Sequence, residues 1–542
     1  MKKMISVFLS ILLLFAAVLP AFAVDYSVPS YNVPVILLRG DGEPLYDKDG
    51  NLAFDATDLL SVLDGADSSN LYESIAAVLQ PFLLEGVLFN RWDRYYEALE
   101  AEIGELTESF RLDENGEATN GTSISPKRYE ENEENMHTDK RGDKGYYGYF
   151  DYRFWYDWRL DPLALADQLN DYINAVLEVT GAEKVGLASR CVGTTVVIAY
   201  AAKYGTSKLQ GVGIDGSCTY GGEFMSDAIS GKFKIDGDAL CRFLTDCTAT
   251  GTFSVSDFAM ASIELLNKSG AIYALTGTFR ATVYNRIKEG ATSAIALSTV
   301  FTMPCYWAFV TAEEYETAKQ YVFGAPGSEK RQKYAGLIEK LDNYHETVRL
   351  HLKDILLGLR DNGVNTCIIS KYGFQIVPIC ETCDLVSDQY ASVYRSSFGA
   401  TTSTIYDTLS DEYIAQKEAQ GLGRYISPDR QVDASTCWLP DTTWFVKGTP
   451  HGDWLEEEDQ IMYNVVTADR QLTVNDLPYT QFFVYDDDTD TVSPMTAENC
   501  GTEYWSEDDL QPSPNLFQRI RAFFRALVKW TRLLVDLLQT EL

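Results

Sequence analysis

Short runs of β-branched and other apolar residues alternate along this chain with longer stretches in which apolar side chains recur every three or four positions. The short runs predict buried strands, and the longer stretches predict helices, of which residues 162–180 give the plainest pattern. Repeated alternation of strand and helix predicts an α/β fold with a mostly parallel sheet and helices on both faces. The predicted strands are 33–38, 146–158, the run that begins at Lys184, 209–214, 365–376 and 442–447.

The pattern changes in two stretches. Residues 223–362 are helical and moderately apolar, which predicts an insertion that lies over the sheet as a lid or cap. The polar stretch 112–146 predicts a loop. The predicted divisions are a signal peptide (1–23), the first part of the core (24–222), the lid (223–362), the end of the core (363–455), an extension (456–512) and a basic amphipathic helix (513–542).

The first residues have the form of a bacterial secretory signal. Lys2 and Lys3 precede an apolar run that ends at the small-x-small sequence 21–23. We therefore expect a cleaved signal peptide and a secreted, extracellular protein. The formal net charge of -34 disfavours binding to phosphate backbones, so nucleic acid is not an expected partner.

The ten cysteines are too few, in a chain of 542 residues, to indicate a dense disulfide framework. Cys380 and Cys383 have the spacing of a local disulfide, of two packed thiols or of half a zinc site. Because a matching second pair is lacking, the sequence favours the first two interpretations. No metal site and no cofactor are predicted.

The run that begins at Lys184 leads into the most informative turn. Strand, sharp turn and helix is the context of a nucleophile elbow, where small residues flank the nucleophile at two positions on either side. Ser189 and Gly193 flank Cys191 in this way, so the predicted nucleophile is a cysteine. Ser189 is a weaker candidate because Leu187, two residues before it, is bulky. The alternative is that Cys191 is a small core residue in an ordinary strand-to-helix junction.

One of the four histidines lies where a catalytic base of this architecture would be. His451 follows the last predicted strand of the core in a loop rich in glycine and proline. His137 lies in a polar loop, and His345 and His351 lie on a charged helix. An acid between the nucleophile and the histidine would complete the order Cys191, Asp429, His451.

Four segments together resemble the α/β-hydrolase superfamily, and within it the lecithin:cholesterol acyltransferase-like and lipase group. They are residues 35–45, the Tyr-Asp-Trp-Arg sequence 156–159, residues 183–195, and residues 429–437 followed by His451. The resemblance covers roughly residues 33–455. It implies an α/β-hydrolase fold and an activity on ester bonds.

Two departures from the family pattern affect the site. The usual serine nucleophile is replaced by Cys191 in Ser-x-Cys-x-Gly. The acid of the family lies in a Gly-Asp-Gly-Thr-Val segment, and the corresponding residues here place Asp429 in Pro-Asp-Arg-Gln-Val. Asp433 and Asp441 are the alternative acids.

The implied reaction is acyl transfer through a covalent acyl-enzyme. His451 would take the proton of Cys191, and the thiolate would attack an ester or lipid carbonyl. Backbone N–H groups of Val192 and of Gly40 or Asp41, in a glycine-rich loop after the first strand, would stabilise the oxyanion. The alternative is a catalytically inactive relative that serves as a secreted binding or membrane-surface protein.

The C-terminal stretch 515–542 reverses the charge of the chain. Apolar residues recur there at helical spacing, and arginine and lysine form a basic face. Such a helix predicts contact with an anionic membrane surface. The alternatives are docking on the acidic body of the protein and binding of a partner.

Overall fold

The structure is a computed structural model. It describes residues 32–39, 43–54, 77, 80–81, 85–86, 89–107, 111–118, 121–142, 149–232, 237–249, 257–268, 300–378, 380–405, 407–486, 489–501 and 516–540. The predicted signal peptide and the oxyanion candidates Gly40 and Asp41 lie outside these residues.

Thirteen strands occur in the described residues, and eight of them form one sheet. The order in that sheet is β13-β12-β11-β8-β7-β6-β1-β5, and every pair is parallel except β12 with β13. The predicted α/β class with a mostly parallel sheet is therefore confirmed. The strands are β1 (Val35–Leu38), β2 (Leu45–Tyr46), β3 (Leu52–Phe54), β4 (Ser123–Ile124), β5 (Tyr152–Arg153), β6 (Val185–Arg190), β7 (Leu209–Asp215), β8 (Asn365–Tyr372), β9 (Thr401–Thr402), β10 (Val432–Asp433), β11 (Thr443–Lys447), β12 (Phe482–Asp486) and β13 (Thr491–Pro494).

Helices connect the strands and cover the sheet. In the described residues they are α1 (Asp93–Thr107), α2 (Pro126–Met136), α3 (Pro162–Thr180), α4 (Val192–Tyr204), α5 (Glu223–Ile229), α6 (Gly237–Ala249), α7 (Asp257–Lys268), α8 (Pro304–Trp307), α9 (Tyr315–Phe323), α10 (Glu329–Lys333), α11 (Ala335–Thr347), α12 (Leu352–Asp361), α13 (Val393–Ser396), α14 (Asp411–Ala419), α15 (Glu456–Thr467) and α16 (Leu516–Thr540). None of these described helices is both long and apolar enough to cross a membrane.

The sheet is buried on both faces, as the continuous apolar strand runs require. In β1, Ile36 and Leu38 pack in the cluster that contains apolar side chains of α3, α4 and α12. Val35 and Leu37 alternate with them and pack in a second cluster with α15. Successive side chains of a strand point to opposite faces, so these two clusters place helices on both sides of the sheet.

Helix α15 lies very close to the sheet because glycine in β7 leaves room for it. A Cβ atom at Gly211 would lie 2.4 Å from Cα of Val466. This close approach brings the first turn of α15, with Glu458 and Asp459, to the carboxyl ends of β6 and β8.

The predicted loop 112–146 is wrong in part, because it contains β4 and α2. Pro126 occupies the first turn of α2, where its missing N–H costs no hydrogen bond. Asn132 is buried and pairs with the backbone of Trp155, donating to its carbonyl at 2.7 Å and accepting from its N–H at 3.0 Å. The polar composition that indicated a solvated loop therefore includes side chains that pair with buried backbone.

The aromatic stretch predicted as a strand over 146–158 forms the much shorter β5. Beyond β5, Asp157 and Arg159 form a buried ion pair with Nη2–Oδ2 and Nε–Oδ1 distances of 2.6 and 2.9 Å. Arg159 also donates to the carbonyl oxygen of Thr122 at 2.8 Å. The two charged residues of the Tyr-Asp-Trp-Arg sequence thus tie the start of α3 to the segment before α2.

The described residues between β7 and β8 contain no strand, which agrees with the helical pattern there. Trp307, Phe323 and Leu337 belong to a hydrophobic cluster separate from the sheet. Leu356 and Leu359 of α12, in contrast, belong to the main core cluster, so this end of the segment packs against the sheet.

We predict that Arg159→Met destabilises the protein by about 3–5 kcal/mol, because it leaves the Asp157 carboxylate buried without its cation. Urea unfolding followed by circular dichroism measures the change. Arg360→Met, which removes a half-exposed arginine from α12, is the matched control, and we expect it to change stability by less than about 1 kcal/mol. Equal effects of the two substitutions would contradict a special role for the buried pair.

Candidate active site

Cys191 occupies a strained turn between β6 and α4. Its backbone angles are φ 47° and ψ -121°, a combination that is rare for any residue other than glycine. Its N–H donates to the carbonyl of Asp215 at 3.1 Å, and its own carbonyl accepts from the N–H of Thr194 at 3.0 Å. Strain of this kind persists only where the surroundings hold it, and it concentrates at functional sites.

The small residues around Cys191 are required by close packing. A Cβ atom at Gly193 would lie 2.5 Å from the carbonyl oxygen of Leu38, at the end of β1. On the other side, Ser189 is fully buried and donates from its hydroxyl to the carbonyl of Gly213 at 2.8 Å. Ser189 is therefore a structural residue, and Cys191 is the residue that adopts the strained conformation at the turn.

A group of buried hydroxyls fixes the base of the turn. Thr194 donates from Oγ1 to the carbonyl of Cys191 at 2.7 Å. Ser217 and Thr219, which follow β7, lie 3.1 and 2.8 Å from the same Oγ1. These contacts connect the first turn of α4 to the loop after β7.

His451 lies in the loop after β11, where the sequence placed it, and a carboxylate holds it. Its Nδ1 is 2.7 Å from Oδ2 of Asp388, and its backbone N–H donates to the carbonyl of Asp388 at 2.9 Å. Both side chains are buried. With Nδ1 engaged by Asp388, a proton exchanged with a substrate would pass through the other ring nitrogen, Nε2.

Asp388 is held by a tight turn after β8. Its Oδ1 accepts from the N–H groups of Tyr390 and Ala391 at 3.0 and 2.9 Å. Burial acts to raise the pKa of Asp388, but the positive charge and the hydrogen bond of His451, with these two N–H groups, outweigh burial and hold its pKa below the ordinary value. Asp388 is therefore a buried anion that orients one ring nitrogen of His451.

The loops of Cys191 and His451 meet at the end of β7. Asp215 accepts the N–H of Cys191, and a Cβ atom at the next residue, Gly216, would lie 3.5 Å from Cε1 of His451. Nucleophile candidate and histidine therefore lie against the same corner of the sheet, at the carboxyl ends of its parallel strands, where ligands bind in α/β sheets.

The structure pairs His451 with Asp388, whereas the predicted acid, Asp429, has other contacts. Its carboxylate lies 2.9 Å from Nζ of Lys447 and accepts from the hydroxyls of Tyr372 and Ser427. Lys447 ends β11 and is buried, so Asp429 neutralises a buried cation. It forms a structural ion pair and does not orient His451.

The two alternative acids also have other contacts. Asp433 lies 2.8 Å from Nζ of Lys417 and accepts from the hydroxyl of Tyr413 at 2.7 Å. Asp441 accepts from the hydroxyl of Tyr425 at 2.6 Å. The carboxylate of the histidine pair therefore comes from a segment in which the sequence indicated no acid.

One sequence signal was available for Asp388. It follows β8, which precedes β11 among the strands of the main sheet, and so preserves the order nucleophile, acid, histidine. The family pattern instead places the acid within residues 429–437. The bridge between Phe374 and Ser387, which brings Asp388 back to the sheet, has no signature in the local sequence.

Of the predicted oxyanion donors, only Val192 lies in the described residues. It is the first residue of α4, where helix N–H groups have no acceptor within the helix. Gly40 and Asp41 follow β1, whose last residue, Leu38, contacts Gly193. Their role stays a prediction.

Aromatic side chains border the histidine. The ring of Tyr390 lies 4.9 Å from that of His451 and meets the ring of Phe224 edge-on at 5.6 Å. The hydroxyls of Tyr220 and Tyr394 are hydrogen-bonded to each other at 3.1 Å. Tyr390 and Tyr394 are each 42% exposed, so an apolar ligand could contact them from solvent.

Beneath the site, a buried charge cluster joins the loop of His451 to the sheet. We define it as Arg190, Asp215, Lys371, Glu458 and Asp459. Arg190 contacts both Asp215 and Asp459, and Nζ of Lys371 is 3.3 Å from Oε2 of Glu458.

Trp454 covers this cluster and belongs to the loop of His451. The cations of Arg190 and Lys371 lie 4.4 and 4.0 Å from its ring centre. Lys371 also donates to the carbonyl of Asp453. Cation–π contact and hydrogen bonding therefore anchor the loop at its end, three residues beyond His451.

Two acidic members of the charge cluster, Glu458 and Asp459, hold protons more tightly than usual. Burial, with repulsion from Asp215, raises the pKa of Glu458 to about 8 in spite of Lys371. Burial also raises the pKa of Asp459 to about 6, and Arg190 opposes that shift. A neutral Glu458 leaves two cations and two anions in the cluster.

His345 and the two closely spaced cysteines, Cys380 and Cys383, have structural surroundings. His345 stacks on Tyr315 at 4.0 Å, and burial, with the charge of Arg349, lowers its pKa to about 4. Cys380 and Cys383 are buried and are not joined to each other by a disulfide. Within the described residues, no group of three or more His, Cys, Asp or Glu side chains is arranged to hold a metal ion.

Comparisons with known proteins add little to this geometry. No protein-family model matches the chain, and no curated protein matches it. Among solved structures, the crystal structure of the Tle4–Tli4 complex is similar at 15% identity over 62% of this chain and 75% of that chain, with a TM-score of 0.23. A likeness of this size carries no argument about the activity of this chain.

We predict that Glu458 makes the protein less stable in alkali. Its pKa rises from 4.5 when exposed to about 8 in the fold, so its favourable contribution is complete below pH 4.5 and is lost as pH rises toward 8. Glu458→Gln, which keeps the shape without the charge, should flatten the fall in the free energy of unfolding across this window.

Urea unfolding at intervals of pH measures the effect, and Glu457→Gln on the same helix is the matched control. A fall of equal slope in wild type and Glu458→Gln would show that another group controls the alkaline loss of stability.

Proposed function

We propose that this protein is an α/β-hydrolase-type esterase, lipase or acyltransferase that works through a thiol acyl-enzyme, with Cys191 as nucleophile, His451 as base and Asp388 as the orienting acid. The finer assignment to the lecithin:cholesterol acyltransferase-like and lipase group is part of the proposal. The observation that carries it is the buried His451–Asp388 pair, set against the same strand corner as the strained turn of Cys191.

The first half of the reaction forms a thioester. Nε2 of His451 takes the proton of the Cys191 thiol, and the sulfur attacks the carbonyl carbon of the ester. The tetrahedral intermediate collapses as the carbon–oxygen bond to the alcohol breaks. The alcohol leaves with the proton returned from Nε2. Asp388 stabilises the imidazolium and fixes its tautomer without taking the proton itself.

The second half releases the acyl group. A water molecule gives its proton to Nε2 of His451 and attacks the thioester, which yields a carboxylic acid and the free thiol. An acceptor alcohol at the same place yields a new ester instead. The start of α4 favours negative charge at Cys191, because the N-terminus of a helix carries partial positive charge.

Features near the histidine favour an ester with an apolar portion. Tyr390 contacts His451 and is partly open to solvent, and Phe224 packs against Tyr390. These rings offer an apolar surface beside the reacting atoms, as the pockets of small-molecule enzymes commonly do. We therefore propose an acyl ester or lipid ester as the substrate class.

We predict that an activated acyl ester transfers one acyl group to Cys191, because the thiol is the proposed nucleophile and His451 activates it. Intact-mass spectrometry of the protein after exposure to p-nitrophenyl butyrate detects the adduct. Cys191→Ala should form none, and His451→Ala should form it about 100-fold or more slowly.

Cys218→Ala is the matched control, since it removes a buried thiol from the loop after β7. Each variant is checked for folding by circular dichroism. No adduct in folded wild type, or an adduct that persists in folded Cys191→Ala, would exclude the proposed nucleophile and favour the inactive binding protein.

We predict that Asp388→Asn slows acylation of Cys191 by roughly 100-fold or more, because the amide no longer stabilises the imidazolium. Asp429→Asn should leave the acylation rate of the folded protein within about threefold and lower its stability instead, because it weakens the ion pair with Lys447. Rapid-mixing kinetics of the adduct and urea unfolding measure the two effects. The reverse pattern would restore Asp429 as the acid.

A further inference from the structure

Helix α16 presents three different surfaces. Toward the protein, Ala526 is buried, Trp530 donates from Nε1 to the hydroxyl of Ser262 at 2.9 Å, and Lys529 lies 3.0 Å from Glu264. These contacts dock α16 on α7. Docking on the body of the protein, one of the alternatives for this stretch, therefore occupies one face of the helix.

The face opposite Ala526 is an exposed apolar stripe, which we define as Ile520, Phe524, Val528 and Val535. They are 44%, 55%, 50% and 45% exposed. At about 100° per residue they fall within about 80° of one another around the helix. Large apolar side chains grouped in this way on a surface mark an interaction site.

A band of cations borders the stripe on one side, formed by Arg521, Arg525 and Arg532. Together with Phe524, Val528 and Leu533 they line a groove of about 790 Å³ beside the start of α7. The sequence of α16 has five cationic residues and one anionic residue, whereas the whole chain has a net charge of -34. The cationic surface thus lies on the same helix as the exposed stripe.

We propose that α16 binds the surface of anionic phospholipid membranes while it stays docked on α7. The apolar stripe enters the region between head groups and acyl chains, and the cation band contacts phosphates. An amphipathic helix with a basic border binds membranes in this way. The acidic remainder does not prevent approach, because charges more than about 8 Å from the membrane surface are largely screened at physiological salt.

A lipid surface is the partner that uses both the cation band and the apolar stripe. A basic helix that binds an acidic protein needs no row of exposed aromatic and aliphatic side chains. A second copy of this chain would bring a like-charged helix against the band. The proposal does not depend on the thiol chemistry of Cys191.

The test measures co-sedimentation of the full chain with vesicles of phosphatidylcholine alone and of phosphatidylcholine mixed with phosphatidylglycerol. We expect binding to the mixed vesicles that weakens as salt is raised. Combined Arg521→Gln, Arg525→Gln and Arg532→Gln should weaken it about 100-fold, since each cation near an anionic surface contributes about fivefold. The double substitution Phe524→Ser and Val528→Ser should abolish the vesicle binding that remains at high salt.

Matched controls remove similar side chains elsewhere on the surface. Leu350→Ser alters an exposed apolar residue, and Arg360→Gln and Arg470→Gln remove exposed cations. These variants should bind as wild type does. Amide hydrogen exchange of residues 516–540, with and without vesicles, tests the same contact without any substitution, and we expect slower exchange when anionic vesicles are present.

Three results would overturn the proposal. They are absence of binding to anionic vesicles with unchanged hydrogen exchange, equal binding to neutral vesicles, and a concentration-dependent dimer in light scattering that is lost in the Phe524→Ser and Val528→Ser protein. The last result would assign the stripe to a second copy of the chain. Because no acyl donor is present, failure here leaves the proposed acyl transfer untouched, and failure of acyl transfer leaves this result untouched.

Discussion

The strained backbone at Cys191 is the constraint on which the candidate site depends. A positive φ at a residue with a side chain is unfavourable by about 1–3 kcal/mol, so neighbouring contacts must offset it. The carbonyl of Asp215 accepts the N–H of Cys191, the carbonyl of Leu38 excludes any side chain at position 193, and buried hydroxyls bind the first turn of α4. Three neighbouring strands, β1, β6 and β7, thereby fix one side chain at the carboxyl ends of the strands.

A separate set of contacts positions the histidine, at the same carboxyl ends of the strands. Asp388 binds its ring and its backbone, and Trp454 fixes the far end of its loop over the buried charge cluster. Several ionisable groups thus lie in low-dielectric surroundings around one corner, which is common near catalytic centres. With Glu458 neutral, the cluster holds two cations and two anions. Deprotonation of Glu458 in alkali would add a third buried anion.

Membrane contact through α16 would complement such a site without being part of it. The helix docks by Trp530 and Lys529 and leaves its apolar stripe outward, so one element can join the protein and meet a lipid surface at once. A protein that acts on lipid esters gains effective substrate concentration from residence at the surface that holds them. Membrane binding by α16 and acyl transfer at Cys191 are therefore compatible, and each has its own experiment.

The sequence by itself determined the α/β class, the limits of α3, the elbow with Cys191 between small residues, and the loop of His451. These features depend on local periodicity and on residues a few positions apart, so they are visible in one dimension. Only the tertiary structure decided which carboxylate meets His451. Asp388, Asp429, Asp433 and Asp441 are alike as residues, and each is paired by a side chain distant in sequence, such as Lys447 for Asp429. Burial of Asn132 and the outward face of α16 likewise follow from packing between segments far apart in the chain, which local composition does not record.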